Sequence, residues 1–387
     1  MNFDRSEEQE LVAASIARFV EREYTFDARR RIVASPSGWS DGVWRGMAEL
    51  GLLGLTLPAE VGGLGGGAVE AMPLMEAIGS ALIVEPWLAS IGIGARLLAS
   101  IGSEAQRAQL SKVVDGSLTL AFAHAEPDAP ERLDRVGLVA RRVGEGYVLS
   151  GAKDAVAHAG AADVLIVSVR TSGGPDESSG ISLLLVPRNA PGVTLRELRM
   201  LDGTRAADLT FRDVHVPADA LLGAPGVAAP IVAEAIDFAT ALVCAEAVGA
   251  IDSANAATLD YLRTREQFGV PIGSFQALQH RMVDMIIEAE QARSMASLAC
   301  STVDHERDPI RRAHVVSAAK VRIGDACRHV SQESVQLHGG MGMSDELKVS
   351  HTFRRLTAIA QQFGDVDHHL ARFAATADSA ANKERTR

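Results

Sequence analysis

YLRTREQFGVPIGSFQALQHRMVDM, residues 261–285, is where one long helical pattern stops and another begins. Alanine-rich helical sequence precedes it over roughly 231–264 and follows it over 275–303 and 308–337, and a final short helix is expected after Gly364. Helices of about 30 residues reach about 45 Å, a length that suits a four-helix bundle better than a surface decoration. Alanine lies all round them, so no single apolar stripe dominates. That predicts burial on more than one face, as in an oligomer whose bundles meet.

Toward the N-terminus the sequence is also helical. Ser6 with Gln9 forms a capping-box pattern, after which Leu11, Val12, Ile16, Phe19 and Val20 share a face. Ser40 opens a second helix through Val43, Trp44, Met47 and Leu50, stopped by Gly51, and Ser103 with Gln106 opens a third that ends near Asp115. The stretch PAEVGGLGGG (58–67) lacks the lysine and Ser/Thr of a phosphate-binding loop and reads as a flexible surface connection. From Leu118 to about Leu222 short β-rich runs, among them DVLIVSVRT and DLTFRDVHVP, alternate with Gly, Pro, Asp and Ser clusters; TSGGPDESSG is a polar turn. The expected fold is α+β and multidomain: an N-terminal α-helical domain (1–117), a middle β-sandwich or barrel domain (118–222) and a C-terminal four-helix bundle (223–387).

With 387 residues and a formal net charge of −11, the chain is a poor partner for nucleic acid or an anionic membrane surface. Any polyanionic ligand must find a local basic site. Cys244, Cys300 and Cys327 are far apart and show neither disulfide nor zinc spacing, so buried reduced thiols are expected. The acidic N-terminus does not read as a signal peptide and no membrane span is expected, which places the protein in the cytoplasm.

Arg265 offers a rigid fork of donors suited to a pyrophosphate and supplies positive charge that the acidic chain otherwise lacks. Gln267 can reach polar groups of a ribityl or phosphate chain, and Phe268 offers a flat apolar face. Read without a ligand, Arg265 and Glu266 are a surface ion pair and the later glycines a helix stop. The RxQFGxPIxxFQ pattern, together with QLHGGMGM (336–343) and the helical, β, helical order, resembles the acyl-CoA dehydrogenase family over essentially the whole chain. The resemblance implies oxidation of an acyl-CoA to the 2,3-enoyl-CoA with hydride transfer to FAD and onward electron transfer to an electron-transfer flavoprotein. It also implies that Arg265, Gln267, Phe268, Phe275, Gln276, Gln336, Gly339 and Gly340 hold the FAD of a neighbouring protomer.

Two departures from the family's pattern concern the flavin ring. A segment usually read TEPxAGSD is here AHAEPDAPERLD (123–134), which keeps Glu126 and Pro127 but loses the threonine and the Gly-Ser pair. A segment usually read KxWITNG is KDAVAHAG (153–160), with Ala155 and Ala157 in place of Trp and Thr. Hydrogen bonds and a stacking wall for the ring are both missing.

A third departure concerns the base. Removing the α-proton needs a carboxylate over Cα. Counting without gaps from the glycine pair places Phe363 where the family has the glutamate of EGT, and the alternative position on the first bundle helix is Ala239 or Thr240. No residue is assigned as catalytic. Asp365 reads as the N-cap of the last helix, and a metal site from Asp367, His368 and His369 is not expected because adjacent helical residues diverge by about 100°. His338 reads as a packing residue.

The pattern suits the non-catalytic small subunit of a heterotetramer, similar to that of pimeloyl-CoA dehydrogenase, with a homologous catalytic subunit as partner. Alternatives are a self-sufficient homotetramer using Asp365 or Glu246 as a displaced base, a scaffold that binds CoA or a partner, and a flavin-dependent monooxygenase.

Overall fold

The computed structural model describes residues 7–129 and 132–385. The chain divides into two compact units, one formed by Ile32–Gly66 and Val84–Ala239, the other by Met1–Arg31, Gly67–Ile83 and Thr240–Arg387.

The first unit is organised around a mixed eight-stranded sheet. Its spatial order is Val193–Arg199, Arg205–Pro217, Gly146–Ala157, Val139–Val143, Val164–Arg170, Ile181–Pro187 and Leu221–Leu222, with Leu120–Ala123 pairing parallel to Val164–Arg170. The run LIVSV (165–169) is buried throughout, as an inner strand requires. Leu138, Leu149, Leu184, Leu209 and Phe211 complete its core. Strand Gly146–Ala157 pairs antiparallel with Arg205–Pro217 through two register shifts, the second between Lys153 and Val156. There the backbone of Ala155 turns left-handed (φ 45°), so this bulge sets which way the residues after Lys153 point.

The short helices of this unit follow their caps. Ser40 Oγ accepts from Val43 N, and the helix Asp41–Glu49 buries Val43, Trp44 and Met47. Ser103 and Gln106 form the expected box. The helix expected to run on to Asp115 is instead two pieces, Glu104–Arg107 and Leu110–Val114. The Gln106 amide also donates to Asp219 O and Leu221 O at 2.7 and 3.0 Å, tying the first piece to the sheet's last strand. The glycine-rich stretch is on the surface but is not a loose connection. Leu64, Gly65 and Gly66 N–H groups donate to Gly54, Leu57 and Leu55 carbonyls at 2.8–2.9 Å, and a Cβ on Gly63 would lie 2.1 Å from Leu57 O.

The second unit is helical. Its long members are Gln276–His305, Pro309–His338 and the 240–264 part of Ala229–Thr264, accompanied by Lys348–Gln361 and Val366–Arg385. The last helix has 20 residues rather than a few turns, and Lys348–Gln361 was not anticipated. Ser6 lies outside the described residues; of the face expected behind it, Ile16 and Phe19 are buried whereas Leu11 is exposed. Helices Ala68–Ala81 and Ala229–Thr264 approach backbone to backbone. A Cβ on Gly79 would lie 1.9 Å from Glu246 O, and one on Gly249 would lie 1.8 Å from Glu76 O. This is the use made of the small residues that blur the helices' sidedness. Cys244, Cys300 and Cys327 are buried free thiols, and burial pushes the Cys244 and Cys327 thiols up to about 12.

Candidate functional site

The segment between the first two long helices is a small rigid arm. Glu266–Gln267 pairs antiparallel with Val270–Pro271, and the two turn residues Phe268 and Gly269 both have positive φ (57° and 79°), the geometry of a type I′ hairpin. Ile272 N donates to Arg265 O at 2.8 Å, closing its base. At its tip Phe268 is 92% exposed and lies nearly perpendicular to the Phe275 ring at a centroid distance of 6.1 Å. Arg265, Gln267 and Gln276 are exposed as well. The surface pair with Glu266 does not form: Arg265 has no carboxylate partner among the described residues.

The second motif stands beside this arm. Tyr261, four residues before Arg265, stacks on His338 at 4.5 Å and 25°, and His338 Nδ1 donates to Ser334 O at 2.7 Å. Burial lowers the His338 pKa, so the ring is a neutral spacer. Beyond it Gln336, Gly339 and Gly340 are exposed. A Cβ on Gly339 or Gly340 would meet nothing within 4 Å, whereas one on Gly342 would lie 2.6 Å from Val335 O. Gly342 is small for lack of room and Gly339 because its backbone has a positive φ of 60°, which leaves Gly340 with neither reason in its own chain. The bare backbone at 339–340 is a cradle that a side chain would fill, next to an unpaired guanidinium and two exposed aromatic rings, and this set fits a flavin dinucleotide lying against it.

In the sheet unit the two segments assigned to the flavin ring do meet: Asp154 N donates to Ala125 O at 2.9 Å. Glu126 is retained for a structural reason. Its carboxylate accepts from Gly137 N, Leu138 N and Lys153 Nζ at 2.7, 3.0 and 2.7 Å. Burial alone would raise the Glu126 pKa, but Lys153 and the two amides bring it below the ordinary range. Lys153 is fully buried and spends its other donors on His124 O and Ser168 Oγ; burial lowers it to about 8 despite Glu126. Ala155 and Ala157 are exposed while Val156 points inward. The surface they present is methyl groups only. Phe122 and His124 stack at 5.3 Å, and burial, then the charge of Lys153, lowers His124 to about 3.

Around Phe363, the position reached by counting from the glycine pair, the chain turns sharply through Phe363 (φ 62°) and Gly364 (φ 107°). Three carbonyls around the turn are held by side chains. Lys320 Nζ donates to Ala360 O and Gly364 O at 3.1 and 2.8 Å, and His369 Nε2 donates to Phe363 O at 3.0 Å. Glu246 receives Arg355 Nε and Nη2 at 2.6 and 2.8 Å with 3% of its side chain exposed, so it is committed to an ion pair rather than free to take a proton. Asp365 Oδ1 accepts from His368 N at 2.9 Å and caps the last helix. Ala239 and Thr240 are buried. His369 faces inward to Ser317 and Phe363, with its pKa lowered to about 3 by burial and then by Lys320.

The N-terminal, middle and C-terminal domains of acyl-CoA dehydrogenases match residues 6–117, 121–214 and 229–380. The chain belongs to the acyl-CoA dehydrogenase family. The probable acyl-CoA dehydrogenase YngJ of Bacillus subtilis is 31% identical over 360 residues, covering 92% of this chain and 93% of YngJ. Among solved structures, the Tcur3481–Tcur3483 steroid acyl-CoA dehydrogenase variant matches with a TM-score of 0.86 at 29% identity over 97% of this chain and 99% of its own. PigA with FAD and proline matches with a TM-score of 0.89 at 26% identity over 98% and 99%.

Several residues that shape the site escape a reading of the sequence. Tyr261 lies inside the decisive motif, but its stack on His338 joins residues 77 positions apart (338 − 261). Lys153 begins a motif in which only the alanines drew notice. Lys320 carries the clearest missed signal: a lone lysine among Val316, Ala319 and Ile323, all of them buried.

Proposed function

We propose that this chain is the non-catalytic subunit of a cytoplasmic acyl-CoA dehydrogenase heterotetramer, completing the grip on an FAD whose ring and base are supplied by a homologous catalytic subunit. When bound, FAD accepts the β-hydride of an acyl-CoA and passes electrons to an electron-transfer flavoprotein. Within this reading Arg265 neutralises the pyrophosphate, Gln267 and Gln276 reach its polar chain, Phe268 and Phe275 cover an apolar face, and Gln336, Gly339 and Gly340 give it bare backbone. The observation that carries the reading is the contrast between this exposed clamp and Phe363, an aromatic ring where the family places its carboxylate.

The single-subunit alternative is disfavoured because Glu246 and Asp365 already have structural duties. A monooxygenase needs no α-proton base, but it too needs a wall for the flavin ring, and Ala155 and Ala157 supply none.

The test is co-expression with a homologous subunit that retains the glutamate. The chain alone should purify with little flavin, and the pair should be yellow and oxidise acyl-CoA. Replacing Arg265 by Ala should cut flavin retention in the complex by about 10- to 100-fold, the worth of a charge-assisted pair at about 1.5–3 kcal/mol. A flavin-loaded, active assembly of this chain by itself would overturn the proposal.

A further inference from the structure

Lysine is scarce in this chain: the 38 basic residues include only Lys112, Lys153, Lys320, Lys348 and Lys383. Lys153 and Lys320 are fully buried. Their ammonium protons go to His124 O, Glu126 and Ser168 Oγ in the first case and to Ala360 O and Gly364 O in the second. Lys112 is exposed in the last turn of Leu110–Val114, the end of a helix that favours a cation. Lys348 is placed differently from all three.

Lys348 is half-buried and is the first residue of Lys348–Gln361, a helix start with no side-chain cap, where the dipole opposes a cation. Three residues on, on the same face, His351 Nδ1 lies 3.0 Å from Arg29 Nη1, and His351 Nε2 lies 3.0 Å from Asp345 O. A guanidinium only donates and a carbonyl only accepts, so the ring is a neutral imidazole with its proton on Nε2. It also stands edge-on to Phe26 at 5.0 Å. His351 therefore brings no charge of its own, and it holds a guanidinium that is 1% exposed on the side of the lysine.

The carboxylates at hand do not balance this. Asp345 pairs with Arg354, and Glu346 is exposed and forms no ion pair with Lys348. Lys348 has neither a hydrogen bond nor a salt bridge from its ammonium group among the described residues. Burial, and then the charge of Arg29, lowers its pKa, with no acid acting in the other direction. An amine in such surroundings is a better nucleophile than an ordinary surface lysine.

We infer that Lys348 is a site of N-acylation by acyl-CoA thioesters, the compounds on which this family acts. The neutral amine attacks the thioester carbonyl carbon. An amide C–N bond forms, the C–S bond breaks, and CoA leaves as the thiol with the amine's proton, so no oxidant or reductant is consumed. The amide removes one of two neighbouring cations and leaves an uncharged group at a half-buried position. The step is independent of whether the chain clamps a flavin.

The test incubates the purified full chain with hexanoyl-CoA at mildly alkaline pH and follows each lysine by peptide mass spectrometry, once in native buffer and once in denaturing urea. In the folded chain Lys348 should gain the hexanoyl group several-fold faster than the more exposed Lys112, while Lys153 and Lys320 stay unmodified. In urea the rates at Lys348 and Lys112 should converge, because burial and the neighbouring guanidinium are both lost. Acylation of Lys348 no faster than that of Lys112 in the folded chain, or a preference for Lys348 that survives in urea, would overturn the assignment.

Discussion

Phe268 and Phe363 are both phenylalanines held at left-handed backbone angles, φ 57° and 62°, where a side chain other than glycine costs on the order of 1 kcal/mol or more. Their surroundings differ completely. Phe268 is at the tip of a two-residue hairpin, held only by local backbone pairing and 92% exposed. Phe363 is in a turn whose carbonyls are gripped by Lys320 and His369 from two other helices. The first strained residue is turned outward, its ring in solvent. The second is over-determined from inside, so the turn keeps its shape although the residue on it cannot take a proton.

The largest test of that contrast is at Glu246. Its carboxylate neutralises Arg355, which also reaches Gln362 Oε1 at 3.4 Å, one residue before Phe363. Glu246→Ala leaves a guanidinium 14% exposed without its partner, a loss of about 3–5 kcal/mol in other buried pairs. Denaturant unfolding should show that loss, with the hairpin side untouched. A variant of undiminished stability would break the contrast and free Glu246 to be considered as a base.

A smaller effect comes from acid. His369 falls from 6.5 to about 3 on folding, so between these values the unfolded chain binds a proton that the folded chain does not. Stability from this group is therefore present above pH 6.5 and lost as pH falls. At pH 4.5 the loss is on the order of 3 kcal/mol, since each pH unit below 6.5 counts about 1.36 kcal/mol. Comparing unfolding of wild type and His369→Gln over this window isolates the contribution. Parallel pH profiles would show that the turn is not held by a neutral imidazole.

Much of this architecture is legible in the sequence because it is written locally. Ser40 and Ser103 mark helix starts through a hydroxyl three residues from its partner, and the hairpin motif lies within a dozen residues of its own helix boundaries. Phe363 follows from counting along an ungapped stretch. The supports of the site are different in kind. Lys320 reaches carbonyls 40 and 44 residues away, Arg355 reaches Glu246 across 109, and Lys153 reaches Glu126 across 27. Nothing local signals such partners beyond a charged residue at a position whose neighbours are apolar. The glycine-rich stretch 58–67 misleads for the same reason: composition announces freedom of φ but not the three cross-bonds that remove it.

The smallest effect is the sharpest, because two readouts move independently. Phe268→Gly relieves the left-handed strain but adds backbone entropy to the unfolded chain, and these terms nearly offset, so stability should change by no more than about 0.5 kcal/mol. A ring that is 92% exposed contributes little burial to lose. If Phe268 exists to lie against a flavin supplied from another subunit, flavin retention in the co-expressed complex should nevertheless fall several-fold, while the chain alone unfolds as before. The same change at Phe363 should leave flavin retention where it was. Were Phe268→Gly to leave retention intact, the exposed strain at the hairpin would need some other use, and the contrast between the two phenylalanines would reduce to one of burial alone.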